Sequence, residues 1–188
     1  IEILLGIKFT IIPTNSWVES VDKAEGGEVD IISETVNSTL QTRMNFTKPY
    51  LSSPIVIIMH KDAPYVDSIN QIAAKKIALI KDYGYVHEII KKYPKLNILW
   101  VNTIDEGLTA VSTGQVDALL STLAHSIYKI SKNNLTNLRI VGKTEFSNDL
   151  AYGIQKKLAP LVPLFNRAIN AISEAEKRRI SAAWGEEK

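Results

Sequence analysis

The chain has 188 residues, 45% of them hydrophobic and 22% charged, with a formal net charge of +2 and no cysteine. Such a length buries a substantial core as one domain or two lobes, and the lack of cysteine excludes disulfides and thiol chemistry while fitting either the cytosol or a bacterial periplasm. The basic residues stand in short pairs (Lys75-Lys76, Lys91-Lys92, Lys156-Lys157) and one run, Lys177-Arg178-Arg179. No aromatic platform accompanies them, so no nucleic-acid partner is expected; no stretch approaches the ~18 apolar residues of a membrane span, and none has a signal-peptide pattern.

The opening, Ile1 to Phe9, reads as the last turns of a helix, a stop at Gly6 and a strand. A strand–helix unit normally precedes such a helix end, so the chain is expected to begin inside its first lobe. From Phe9 a design is stated that the chain states again 87 residues later, at the offset from Ser16 to Thr103. A strand-like run, Phe9 to Asn15 or Leu96 to Asn102, ends in Asn. Ser16 or Thr103 follows as N-cap, and Glu19 or Glu106 three residues on completes a capping box. The helix then sets Trp17, Val21 and Ala24, or Ile104, Leu108 and Val111, on one face. Gly27 and Gly114 stop it in register, and x-Val-Asp leads into Val29 to Ile32 or Val116 to Leu120, runs short enough for a strand buried on both faces. Two lobes of similar α/β build are expected, and because open α/β sheets bind ligands beyond the carboxyl ends of their strands, a cleft between them.

A polar loop, Ser33 to Asn45, follows the first of these strands, and Phe46 to Pro54 leads to a strand, Ile55 to His60. A short helix, Asp67 to Ala74, precedes strand Lys76 to Ile80. The loop Lys81 to Tyr83 opens a helix near Gly84, where free N–H groups accept an anionic group and glycine permits close approach. After the second repeat, Ser121-Thr122 starts a helix to about Ser131; Leu138 to Gly142 and Leu150 to Gln155 are strands. Helices over Leu161 to Ile172 and from Ser173 to Trp184 close the chain, the last with a third capping box through Glu176.

The blocks FTKPYLSSPIVIIMHKD, KKIALIKDYGYVHEIIKKYPKLNILWVNTIDEGLTAVSTGQVDALL, LRIVGKTEFSNDLAYGIQKK and AISEAEKRRISAAW together resemble the type 2 periplasmic solute-binding proteins of the polar amino-acid class. Their wording is most similar to extracytoplasmic sensor domains of bacterial signalling proteins. The resemblance implies a two-lobe α/β flytrap fold: lobe 1 from residues 1–53 and 156–188, incomplete at its amino-terminal side, and lobe 2 from 54–155. The crossing strands would be Ile55 to His60 and Leu150 to Gln155. It implies closure around a small polar solute in the periplasm, attachment to a membrane only through a tether outside this chain, and room for a homodimer of the full-length protein.

The ligand-binding candidates are Glu34, Thr35, Asn37 and Arg43 in lobe 1, and Asp82, Tyr83, Gly84, Tyr85, Ser121 and Thr122 in lobe 2. Besides the missing start of lobe 1, the sequence departs from the family at two binding positions. Amino-acid binders carry a carboxylate-binding Arg six residues before the Phe of the F-T-x-P-Y motif, which here is Leu40, with Arg43 nearby. They also often carry an Asp where Thr122 stands. Hydroxyls and amides suit a neutral or differently charged solute.

His60, His87 and His125 lack metal-site spacing, and no nucleophile elbow or Walker loop occurs. Neither a cofactor nor a catalytic residue is expected. Glu34 and Asp82 are placed for acid–base work in a dehydratase-like alternative; a free binding protein of a transporter is the other alternative. A sensory, non-enzymatic solute-binding domain is the leading expectation.

Overall fold

The computed structural model describes residues 1–15, 17–35, 39–81 and 83–186. The chain divides into two compact units, Ile1–Ser52 with Asp149–Lys188, and Ser53–Asn148.

The sequence repeat folds as a repeat. Helices α2 (Trp17–Glu25) and α4 (Ile104–Ser112) have the same length and the same offset. At their starts the Asn15 and Asn102 N–H groups donate to Glu19 Oε2 and Glu106 Oε2, at 2.8 and 2.7 Å. Each carboxylate thus reaches the residue ahead of the cap, while the Thr103 hydroxyl accepts from the Glu106 N–H at 3.1 Å. At their ends Gly27 and Gly114 take φ of 74° and 77°. This left-handed turn lets the Glu28 and Gln115 N–H groups return to the Lys23 and Ala110 carbonyls, each at 2.9 Å, closing the last turn of each helix. Strands β1 (Ile31–Thr35) and β6 (Ala118–Thr122) follow, still in register.

In the second unit, β3 (Leu51–His60) runs antiparallel to β6, and β4 (Lys76–Ile80) runs parallel to both β6 and β5 (Asn97–Val101). The order is β7-β3-β6-β4-β5, where β7 spans Leu138–Gln155. Because side chains alternate along a strand, Ile55, Ile57, Ile77, Leu79 and Leu120 fill one core. Val56, Ile58, Ala78, Ile80 and Leu119 fill the core on the opposite face. Helix α3 (Gly84–Lys92) covers the first with Tyr85, Val86 and Ile89, and α4 the second with Ile104, Leu108 and Val111. Each fully buried aliphatic contributes roughly 1.5–3 kcal/mol of transfer free energy, so burial on both faces explains the apolar runs Ile77–Ile80 of β4 and Ala118–Leu120 of β6. Helix α5 (Leu123–Lys132) follows β6. The segment after β3 is tied to β7 by Val66 N–H to the Val141 carbonyl (2.9 Å) and to the residue ahead of β7 by Lys61 N–H to the Asn137 carbonyl (2.8 Å).

In the first unit, β1 and β2 (Met44–Phe46) both run antiparallel to the end of β7. A small core of Ala24, Ile32, Leu40 and Met44 lies beneath them. The opening helix α1 (Glu2–Leu5) ends at Gly6, φ 65°. Helix α6 (Leu161–Ala171) inserts Phe165, fully buried, with its ring centroid 6.0 Å from Phe9 and 5.6 Å from Tyr152. Helix α7 (Glu174–Glu186) is capped by Ser173, whose hydroxyl accepts from the Glu176 N–H.

Four expectations are corrected. Phe9 to Asn15 is not a strand. Its repeat counterpart β5 is held by β4, whereas no described strand pairs with Phe9 to Asn15, and Ile11 is 81% exposed. The expected helix Asp67 to Ala74 is a 3-10 turn over Ile69–Ile72. The two strands expected within Leu138 to Gln155 are one, held in its middle by the Thr144 hydroxyl donating to the Ile55 carbonyl at 2.7 Å. The unit boundary falls after Asn148 and not at 155, because residues 150–155 pair with β1 and β2.

Candidate functional site

The offset that matches β1 to β6 matches Glu34 to Ser121 and Thr35 to Thr122. Four of the sequence candidates therefore occupy equivalent places, the last two residues of a strand in each unit. Carboxyl ends of strands are where this class of sheet receives ligands.

In the second unit, Tyr83 is the N-cap residue of α3 and makes no side-chain cap bond. It is about one-third exposed, and its ring lies 5.7 Å from that of Tyr85. Gly84 and Tyr85 form the first turn. Tyr85 is 2% exposed and packs in the core, so its ring is a wall from within and not an open contact surface. Helical spacing explains this: Tyr85, Val86 and Ile89 share the face that meets the sheet. The Tyr85 hydroxyl is sealed from solvent and makes no full hydrogen bond to a described residue. Burial drives its pKa far above the ordinary phenol value, Tyr83 raises it further, and the neighbouring Ser121 hydroxyl offsets part of this. Ser121 is buried as well, and Thr122, half-buried, caps α5 and accepts the Ser126 hydroxyl at its carbonyl. The far end of α3 is fixed to β7, where Lys92 Nζ and the Tyr93 hydroxyl each lie 2.7 Å from Glu145 Oε1.

In the first unit, Glu34 and Thr35 stand opposite Ala151 and Leu150 of β7. The same register sets Ser33 opposite Tyr152. Around this rung lies a polar and aromatic cluster that sequence reasoning did not assemble. The Ser33 and Tyr50 hydroxyls are hydrogen-bonded, Tyr50 stacks on Tyr152 at 4.7 Å, and Ser52 donates to Asp149. Burial raises the pKa of both tyrosines, so the pair is a neutral surface with hydrogen-bonding hydroxyls. Tyr50 alone carried a signal in the sequence, through its place in the F-T-x-P-Y motif.

Arg43 is used elsewhere. Its guanidinium donates to the Glu25 carbonyl at 2.9 Å, closing the carboxyl end of α2, which is a favourable place for a cation. Leu40, where the family resemblance expects a carboxylate-binding Arg, is fully buried against Ala24, Ile32 and Met44. Asn37 and Asp82 lie outside the described residues. Among the described residues no three His, Asp or Glu side chains gather as a metal site, and no helix is long and apolar enough to cross a membrane.

Two α/β units built from one repeat, each with polar residues at its strand ends, define a solute-binding architecture. The chain belongs to the bacterial extracellular solute-binding proteins, family 3, whose model matches residues 1–187. It is 23% identical over 186 residues to the virulence sensor protein BvgS of Bordetella pertussis, covering 98% of this chain and 15% of BvgS. It is 26% identical over 184 residues to the sensor protein EvgS of Escherichia coli, covering 95% of this chain and 15% of EvgS. The chain thus spans about 15% of the length of these relatives. The crystal structure of the Bordetella pertussis BvgS periplasmic VFT2 domain matches with a TM-score of 0.77 at 23% identity, covering 97% of this chain and 79% of that one. The fold is that of the flytrap domains, and the chain is extracytoplasmic. Family and neighbours are binding and sensor proteins.

Proposed function

We propose that this chain is the extracytoplasmic input domain of a membrane signalling protein, and that a small polar solute, held without catalysis, draws its two lobes together. The observation that carries this reading is that nearly the whole chain aligns with the extracytoplasmic part of sensor proteins, in a family of solute binders. The strand ends supply the candidate contacts: Glu34, Thr35 and Asn37 from lobe 1, and Asp82, Tyr83, Gly84, Ser121 and Thr122 from lobe 2. Tyr85 shapes the second wall from behind, and Arg43 holds α2 in place. With leucine at position 40 and threonine at 122, the solute is not tied to the charge pattern of an α-amino acid. In this reading α7 carries the change of lobe spacing toward a tether.

A switch of this kind requires different solute affinities in the open and closed states. Solution scattering on the domain with and without a solute that raises its melting temperature tests the proposal. The expected result is a smaller radius of gyration in the presence of the solute. A solute that stabilises the domain while leaving the scattering profile unchanged would contradict closure, though not binding.

A further inference from the structure

Two buried hydroxyls of the second unit are committed to main-chain carbonyls, Ser126 to that of Thr122 at 2.6 Å and Thr144 to that of Ile55 at 2.7 Å. Two others, those of Tyr85 and Ser121, stand beside each other at the end of β6, and each residue is 2% exposed. Tyr85 packs among Ile55, Ile57, Ile77, Leu79 and Leu120. Its hydroxyl is sealed from solvent and has no full hydrogen bond to a described residue. The groups that act on it are Tyr83, which is one-third exposed and reaches water, and Ser121.

Orphaned buried donors are rare in native folds, and each calls for an explanation. Burial keeps this phenol protonated, so it remains a donor across the physiological range. With apolar side chains on its other sides, the acceptor within its reach is the Ser121 oxygen. A hydroxyl that accepts from Tyr85 still holds its own proton. That proton has no inward carbonyl to take it, and it turns toward the carboxyl end of β6, where sheets of this class receive ligands.

We propose that Tyr85 is a positioning residue for specificity: it fixes Ser121 as a hydrogen-bond donor toward the solute, so the solute presents an acceptor oxygen, of a carbonyl or a carboxylate, at the end of β6. This inference rests on the solute-binding reading and adds the chemistry of one contact to it. An ammonium group at the same point would set donor against donor, and Thr122, the next residue, is uncharged and offers it no carboxylate. Sites that reserve a buried polar group for one partner discriminate strongly against an analogue that cannot pair with it.

The test is a set of thermal-shift titrations of the 188-residue chain, Tyr85→Phe and Ser121→Ala with probes that share a carbon chain and differ at its ends: succinate, succinamide and 1,4-diaminobutane, with propanoate, propanamide and propylamine beside them. In the parent, the carboxylate or the amide is expected to raise the melting temperature at lower concentration than the amine of the same length, and whichever of the two does so identifies the kind of oxygen. Tyr85→Phe breaks no completed bond, so its free form should melt at or above the parent. Its preference for the acceptor over the amine should nevertheless shrink by about tenfold or more, because Ser121 is then free to accept as well as to donate. Ser121→Ala should lose the preference altogether. A role in packing alone would move the melting temperature and leave that ratio unchanged. Tyr85→Phe melting well below the parent would show that the hydroxyl already has a partner in the fold and would overturn the proposal, as would an unchanged ratio or a parent that prefers the amines. Shifts that are equal in parent and Tyr85→Phe would sink this inference alone, whereas no shift by any probe in any of the proteins would remove the solute reading and this inference with it.

Discussion

Gly142→Ala is expected to destabilise the domain by about 2–4 kcal/mol, the sum of an overpacking strain and a lost backbone hydrogen bond. A Cβ at this position would sit 1.9 Å from the Val66 carbonyl oxygen and 3.0 Å from its carbon. Both are main-chain atoms, so no rotamer change relieves the clash. The 61–66 segment must move off β7, and with it go the Val66 N–H bond to the Val141 carbonyl and the burial of Val66, which is 6% exposed. Urea unfolding followed by circular dichroism measures the loss. Lys143→Ala, at the exposed neighbouring position, serves as control and should fall within about 0.5 kcal/mol of the parent. If Gly142→Ala did the same, the segment after β3 would not be anchored on β7 as described.

Leu40→Arg, the substitution that writes the family's carboxylate anchor back into the sequence, is expected to cost roughly 3–5 kcal/mol and to confer no amino-acid binding. Leu40 is fully buried and clusters with Ala24, Ile32 and Met44, with Val21, Val29 and Phe46 packed on them among the described residues. A guanidinium there loses its hydration and finds apolar neighbours. The nearest engineered alternative is already occupied, since Arg43 closes α2 through the Glu25 carbonyl. Thermal melting with and without a panel of α-amino acids reads both effects. A stable variant that gained amino-acid affinity would show that position 40 faces the ligand.

Local signals in the sequence led to the parts of the fold whose determinants are local. The two Asn–Ser/Thr–x–x–Glu starts and the two glycine stops recur in the structure at one offset, because caps and left-handed turns depend on residues within one turn of each other. Two of the failures are non-local. Phe9 to Asn15 has the composition of a strand, but a strand exists only through its neighbour. Lys143 to Asp149 is polar and turn-like, yet it stays extended because Thr144 reaches Ile55, 89 residues away in sequence. In the candidate site, positions were more legible than side-chain roles. Strand ends and the start of α3 could be placed from pattern alone. That Tyr85 turns into the core, that Arg43 is spent on Glu25, and that Ser33, Tyr50 and Tyr152 gather on one rung depend on packing and register that spacing does not encode.

Whether this domain takes a small solute at all is tested most directly by a thermal-shift screen, with the domain kept in its native extracytoplasmic setting, against amino acids, polyamines, carboxylates and sugars. A solute that binds only the folded state raises stability by RT ln(1 + [L]/Kd), about 2.7 kcal/mol at a hundredfold excess over Kd. The account predicts at least one solute class that raises the melting temperature in a saturable way, with the shift reduced when Ser121 or Thr122 is replaced by alanine. A panel in which no class moves the melting temperature at millimolar concentration would contradict it and leave a flytrap fold that signals without a solute.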